Sequence, residues 1–417
     1  MSPGSFALRV RWKEGCPPPV TNPHAVRSPF HAFAPAFLVA FFCLVIVPLG
    51  STLRAAGQIP GPSVLVADDA SEDATASNNQ VKLVREPSGR LLVAYVQMAG
   101  GPAQVMLVAS SDGGRHWGPL ARVSEGPVPS RLPALARDAQ GRVHVIWTRY
   151  DDGVGKIYYR VWDGRWAAPQ ARISPPSGYA GYPALATDRS GNPQVVWYGI
   201  RSGPTPASTR HGSIYEIFYT GLDGHGWSQP LLISTGAPDS VNPALAADRA
   251  GRLYAVWYQL AEHAYQVRYA ERNAAWSVPE TVLPTKVDAF NPDVAVGPDG
   301  TAVVAWEHHD GLRSAIYFAR RVGARWIGPA VLSAGDPPAH HPAVTTAPSG
   351  LVYVVWDDDG GRISLRRFGT GWDPVITLAA GDGNAFPSVL ASAAGPGVVW
   401  THTGPGHAQV RYLGLPW

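Results

Sequence analysis

The sequence predicts an all-β fold, a seven-bladed β-propeller of four-stranded blades. Three observations predict it: a motif recurring about every 50 residues, four strand-like segments within each copy, and an N-terminal segment supplying the strand that the last copy lacks.

The motif sets the register. Pro133 is followed by Gly141 and Trp147, eight and fourteen residues on. The same offsets recur from Pro183 (Gly191, Trp197), Pro243 (Gly251, Trp257), Pro292 (Gly300, Trp306) and Pro342 (Gly350, Trp356). Pro387 leads to Gly395 and, one residue early, Trp400, while the first copy is degenerate with Val81, Gly89 and Tyr95. A second Trp follows in each copy: Trp117, Trp166, Trp227, Trp276, Trp326, Trp372 and Trp417. Within a copy, Pro243-Ala244-Leu245-Ala246 reads as a first strand and Leu253-Tyr254-Ala255-Val256-Trp257 as a second. The second strand is apolar on both faces, as when sheets stack on each other. Segments such as Ile157-Tyr158-Tyr159 give the third strand and Pro230-Leu231-Leu232-Ile233-Ser234 the fourth. Four strands per repeat, stacked radially, make a propeller blade.

The last repeat ends before its fourth strand. Pro62-Ser63-Val64-Leu65-Val66 resembles it, and its pairing with the last blade closes the ring and removes two sheet edges. Asp68-Asp69 and Glu72-Asp73 then read as an acidic, solvated connection into the first blade. The domains are 1–57, a basic tail with a targeting segment, and 58–417, the propeller. Its repeats fall at about 78–126, 127–176, 177–236, 237–285, 286–335, 336–381 and 382–417 plus 60–67.

Composition agrees. Hydrophobic residues are 45% and charged residues 16%, with 45 Gly and 40 Pro, which suits many short strands joined by turns. The net charge of +3 comes without a basic stripe, so nucleic acid is not expected as a partner. Both cysteines, Cys16 and Cys43, precede the repeats, which excludes a disulfide or cysteine zinc site within them. Residues 32–53 carry no charge, and their most apolar run, Ala36–Val47, follows a basic stretch. This reads as a signal peptide cleaved near Ala55-Ala56-Gly57, or as an uncleaved anchor helix. Either way the propeller is extracytoplasmic, with membrane contact only through residues 32–53 if they are retained.

Ser110-Ser111-Asp112-Gly113-Gly114-Arg115-His116-Trp117 matches the Asp-box, Ser-x-Asp-x-Gly-x-x-Trp, of bacterial neuraminidase repeats. Residues from about 60 to 417 therefore resemble the sialidase-like propellers. The resemblance makes Ser110, Asp112, Gly114 and Trp117 structural and identifies the fold rather than an activity. Ser130-Arg131-Leu132-Pro133 also looks like the Arg-Ile-Pro motif of sialidases. By that resemblance Arg131 clamps a substrate carboxylate, and Asp151 or Asp152 is the acid/base. The family further needs a Tyr nucleophile with a Glu partner and two more Arg. Arg201, Arg268, Arg313, Glu216, Glu262 and Glu307 are candidates without motif support. Sialidases also resemble six-bladed rings, whereas seven repeats are counted here.

In a propeller, the loops flanking each first and second strand gather around the central channel as a funnel, the usual ligand site. They supply Tyr182, Arg201, Asn242, Asn291, Glu307, His309, His341 and Asp357 as ligand-binding candidates, or else the ordinary polar lining of a channel mouth. No cofactor is expected. The alternative is a metal held by Glu307, His309 and His341, although neighbours on a strand point to opposite sides, so not all the local imidazoles converge. The insertion 201–212 is a lid or a specificity loop, or else a tolerated surface insertion.

The first functional reading is an exported propeller that binds a glycan or a protein partner in its funnel. The alternative is a carbohydrate-active enzyme, either an exo-sialidase-like glycoside hydrolase or a polysaccharide lyase using funnel His and Tyr. A third is a structural scaffold of a surface assembly. Funnel residues differ from repeat to repeat, which favours one asymmetric site and keeps the enzyme reading open. The sequence leaves the oligomeric state undetermined.

Overall fold

The computed structural model describes residues 61–416 except 78, 99, 201–214, 235–238, 262 and 334–336. The N-terminal segment, the 201–212 insertion with Arg201, Glu262 and Trp417 lie outside the described residues. The described chain is all-β and contains no helix, hence none long and apolar enough to cross a membrane.

The repeats fold into antiparallel sheets in which strands pair in sequence order. Repeat two is Ser130–Arg137, Val143–Asp151, Val154–Trp162 and Ala171–Arg172; repeats three to six follow the same plan. The fourth strands are often much shorter than expected: in repeat three only Leu231–Leu232 pairs. The second strands are the most buried, and Val352–Asp358 is buried throughout. Apolar residues on both faces pack against the sheets on either side. Ile146 and Ile157 of repeat two, for instance, meet Leu185, Val195 and Trp197 of repeat three.

The strand Val64–Ala70 pairs antiparallel with Ala408–Gly414 of repeat seven, and Ala70 pairs with Gln97 of repeat one. One sheet thereby joins the strands of repeat seven to those of repeat one. Asp68 and Asp69 lie within this strand with their side chains exposed, and Glu72 is exposed as well, so the acidic connection is solvated but is partly strand. After Ser71 the chain turns inward.

That inward segment is held by four repeats. Thr75 donates its amide to Thr401 Oγ1 at 3.0 Å and its hydroxyl to the Phe386 carbonyl at 2.8 Å. Asn79 Nδ2 donates to the Pro243 carbonyl at 2.6 Å and Gln80 Nε2 to that of Pro183 at 2.8 Å. Lys82 Nζ donates to the Pro133 carbonyl at 2.5 Å and to Gln80 Oε1 at 2.9 Å. Thr75, Asn79, Gln80 and Lys82 are all buried. The segment thus plugs the space between the first strands, and its polar side chains satisfy carbonyls that have no strand partner there.

Those carbonyls lie beside a bulge in the first strand of each of repeats two to seven. Leu132, Tyr182, Asn242, Asn291, His341 and Phe386 each precede the motif proline and have φ of 57°, 51°, 49°, 46°, 49° and 57°. Strand register slips at each of these points. Left-handed backbone at non-glycine residues costs about 1–3 kcal/mol and persists where the surrounding structure enforces it. Proline has no amide to leave unpaired at such a slip. The extra residue re-aims the side chain before the proline.

Candidate functional site

Four of the six bulge residues join a polar chain. Asn242 Nδ2 donates to Asn291 Oδ1 at 3.0 Å, and Asn291 Nδ2 to Glu307 Oε1 at 2.9 Å. The His341 amide also donates to Glu307 Oε1, at 2.8 Å. The His341 ring places Nδ1 2.9 and 3.0 Å from the two Asp357 oxygens. Asp357 Oδ2 then accepts the Phe386 amide at 2.9 Å. The chain runs through repeats four to seven, and five of the predicted funnel residues form it. Glu307 and Asp357 follow the second-strand Trp306 and Trp356, and each is only 4% exposed.

Burial alone would raise the Glu307 carboxyl. The hydrogen bond from His340 and the charges of His341 and His340 outweigh it and hold Glu307 at about 2. Burial likewise opposes the charge on His341, but Asp357, by charge and hydrogen bond, and Glu307 push it up to about 9. At neutral pH this is an anionic Glu307 beside a cationic His341.

Rings line the same region. Tyr182 stacks on Tyr198 with centroids 5.1 Å apart, and Tyr215 and Tyr179 pack edgewise or tilted on Tyr198 at 5.4 and 5.8 Å. Tyr258 meets Phe290 at 5.3 Å, and Phe290 meets His309 at 5.7 Å. His309 lies 6.3 Å from His340, and His341 lies 4.6 Å from Phe386. Burial raises the Tyr198 hydroxyl well above its usual range, keeping it a proton donor.

The metal alternative changes its membership. Glu307, His309 and His340 offer ligand atoms within 4.8 Å of one another. His341 is not among them, because the bulge turns it to Asp357 while His340 faces Glu307, Nδ1 to Oε2 at 3.4 Å. His308 points the other way and stacks on Tyr317 at 4.1 Å.

The remaining candidates take no part in these hydrogen bonds. Arg131 Nη1 lies 2.5 and 2.6 Å from the two Asp73 oxygens. Asp151 pairs with Arg149 at 2.7 Å and accepts the Tyr158 hydroxyl at 2.8 Å, and Asp152 is an exposed turn residue. Arg268 bonds Thr281 and the Pro279 carbonyl in its own sheet, Arg313 closes a turn on Asp310, and buried Glu216 sits opposite Gly199. The Ser110–Trp117 turn is closed locally. Asp112 Oδ1 accepts the Ser110 hydroxyl and the amides of Arg115 and His116, Ser110 Oγ accepts the Gly114 amide, and Trp117 packs on Tyr412. Sequence reasoning missed Tyr258 and Tyr265, although Tyr258 follows Trp257 as Glu307 follows Trp306. It also missed the whole plug, which no local pattern announces.

No family model and no curated protein matches the chain. Solved structures do match. One is a protein of unknown function from Dyadobacter fermentans, with TM-score 0.52, 15% identity, and 69% of this chain and 95% of that chain covered. Another is a polysaccharide lyase, an ulvan lyase of family PL25, with TM-score 0.57, 13% identity, and 85% and 96% covered. The same description bound to -[GlcA(1-4)Rha3S]- gives TM-score 0.57, 12% identity and the same coverage. At these identities the likeness is one of fold alone, and it supports reading this chain's four-stranded antiparallel sheets as a β-propeller.

Proposed function

We propose that the chain is an exported carbohydrate-active enzyme that takes an acidic polysaccharide at the ring-lined side of repeats three to seven and cleaves it by elimination. The observation that carries this reading is the asymmetry of that region. A partly exposed aromatic surface of Tyr182, Tyr258 and Phe290, backed by buried Tyr198, continues into the Glu307–His341–Asp357 chain. Aromatic faces stack on sugar rings, and cationic His341 suits a uronate carboxylate. In elimination a base takes the proton beside the carboxyl, the neighbouring glycosidic C–O bond breaks, a C=C bond forms, and the leaving oxygen takes a proton. Imidazoles and tyrosine hydroxyls near this polar chain are groups of the right kind for both transfers. The likeness to a lyase of matching architecture points the same way.

Seven blades closed by Val64–Ala70 belong to this reading. Seven apolar clusters support it, each joining successive repeats, with Val66, Val93, Val399 and Val410 joining repeat seven to repeat one. The extracytoplasmic location rests on the apolar segment 32–53. Arg131 is engaged with Asp73, which argues against the sialidase assignment. The second reading, a glycan-binding propeller without turnover, is favoured by how fully the polar chain is satisfied internally.

The test is incubation of the full chain with uronate-containing polysaccharides, following the ultraviolet absorbance of the unsaturated uronate. Its appearance in wild type and loss in His341→Gln supports elimination. Saturable binding without new reducing ends or absorbance supports the binder.

A further inference from the structure

We propose that Glu307, His309 and His340 form a three-ligand site for a divalent first-row cation of zinc type, with a further coordination position open to solvent. This goes beyond the glycan reading and does not rest on it.

The backbone prepares the site. Glu307 and His309 end the strand Ala302–His309 two residues apart, so their side chains share a face. His340 lies in the first strand of the next repeat, immediately before the bulge. Without the slip at His341, His340 and His341 would simply alternate across that strand. With it, the His341 amide and the His340 ring both address Glu307.

The surroundings resemble the outer shell of a metal site. Glu307 Oε1 already accepts from Asn291 Nδ2 and the His341 amide, which orients the carboxylate so that Oε2 faces His340. The other nitrogen of His340, Nε2, lies 3.2 Å from Asp359 Oδ1. A carboxylate on the far nitrogen fixes the ring and makes the near nitrogen a better donor, as in carboxylate–histidine–zinc arrangements. Binding releases the Nδ1 proton of His340 to solvent and puts the cation between Nδ1, Oε2 and a His309 nitrogen. Ligand atoms already within 4.8 Å need only small rotamer changes to reach bonding distance.

The donor set selects the ion. Two imidazoles and one carboxylate suit zinc and its neighbours, whereas calcium and magnesium take mainly oxygen ligands. Glu307 is buried, but His309 and His340 are only half-buried, so a water or ligand atom reaches the cation. Three protein ligands with an open position are the pattern of reactive rather than purely structural zinc.

The test uses untagged full chain stripped with a chelator, titrated with zinc against a chromogenic competitor and separately with cobalt. The expected result is one equivalent bound and a cobalt spectrum of low coordination number. Both should be lost in His309→Ala and in His340→Ala and kept in His407→Ala, a surface imidazole paired with Asp68. Asp359→Ala should weaken zinc by about 10- to 100-fold. Melting curves establish that each variant is folded. Failure of folded wild type to bind one equivalent, or retention of that equivalent in either ligand variant, overturns the proposal.

Discussion

Arg131 and Asp73 are bound to each other: the arginine Nη1 lies 2.5 and 2.6 Å from the two carboxylate oxygens, with both side chains more than a quarter exposed. The pair ties the inward segment to repeat two. Arg131→Ala and Asp73→Ala should each lower stability, and a double-mutant cycle in urea should give a coupling of about 1 kcal/mol. An Arg131 free for substrate would give no coupling.

Lys82 places its ammonium nitrogen among the Pro133 carbonyl and Gln80 Oε1 with no exposed surface. Burial lowers its pKa well below the usual lysine range. Lys82→Met keeps the bulk but strands two buried acceptors, so unfolding by urea should show a loss of about 1–3 kcal/mol.

Asp293 offers a pH test. Burial raises its carboxyl to about 7, against the amides of Val344 and Val294 that favour its charge. The unfolded value is about 4, so between about pH 4 and pH 7 the folded state holds a proton that the unfolded state has released. This contribution to stability is therefore lost as pH rises through that window. Asp293→Asn should flatten the decline in stability, read from urea unfolding between about pH 4 and pH 7, by on the order of 1 kcal/mol per pH unit.

Gly113 and Gly114 separate strain from space. Both have positive φ, 80° and 93°, but a Cβ on Gly114 would lie 2.1 Å from the Tyr412 ring while one on Gly113 meets nothing within 4 Å. Gly114→Ala should cost about 3 kcal/mol or more and Gly113→Ala about 1, read from thermal melts.

Tyr182 tests the aromatic surface. Tyr182→Ala removes its stack on Tyr198. Binding of an acidic oligosaccharide, followed by calorimetry, should weaken about threefold to tenfold while the fold persists.

The repeat made much of this readable in advance. Offsets from the motif proline and tryptophan carried Asn242, Asn291, Glu307, His341 and Asp357 to one region because each repeat presents the same loops. The bulge was not readable: one slipped residue exchanges the roles of His340 and His341, and alternation assumes no slip. Nor was the Asp73–Arg131 pair, since a contact 58 residues apart leaves no periodic trace.

The pairing of Val64–Ala70 with Ala408–Gly414 has a consequence for how the molecule is assembled. The stretch synthesised first among the described strands finds its partner only when the last has been made. The plug beside it needs carbonyls from repeats two, three, four and seven in the meantime. Until Ala408–Gly414 is made, Val64–Ala70 lacks this strand partner, so their pairing is a long-range step that is slow compared with the local hairpins. Cleavage of the nearly finished chain before Ala408 should therefore leave an association-prone product rather than a smaller propeller.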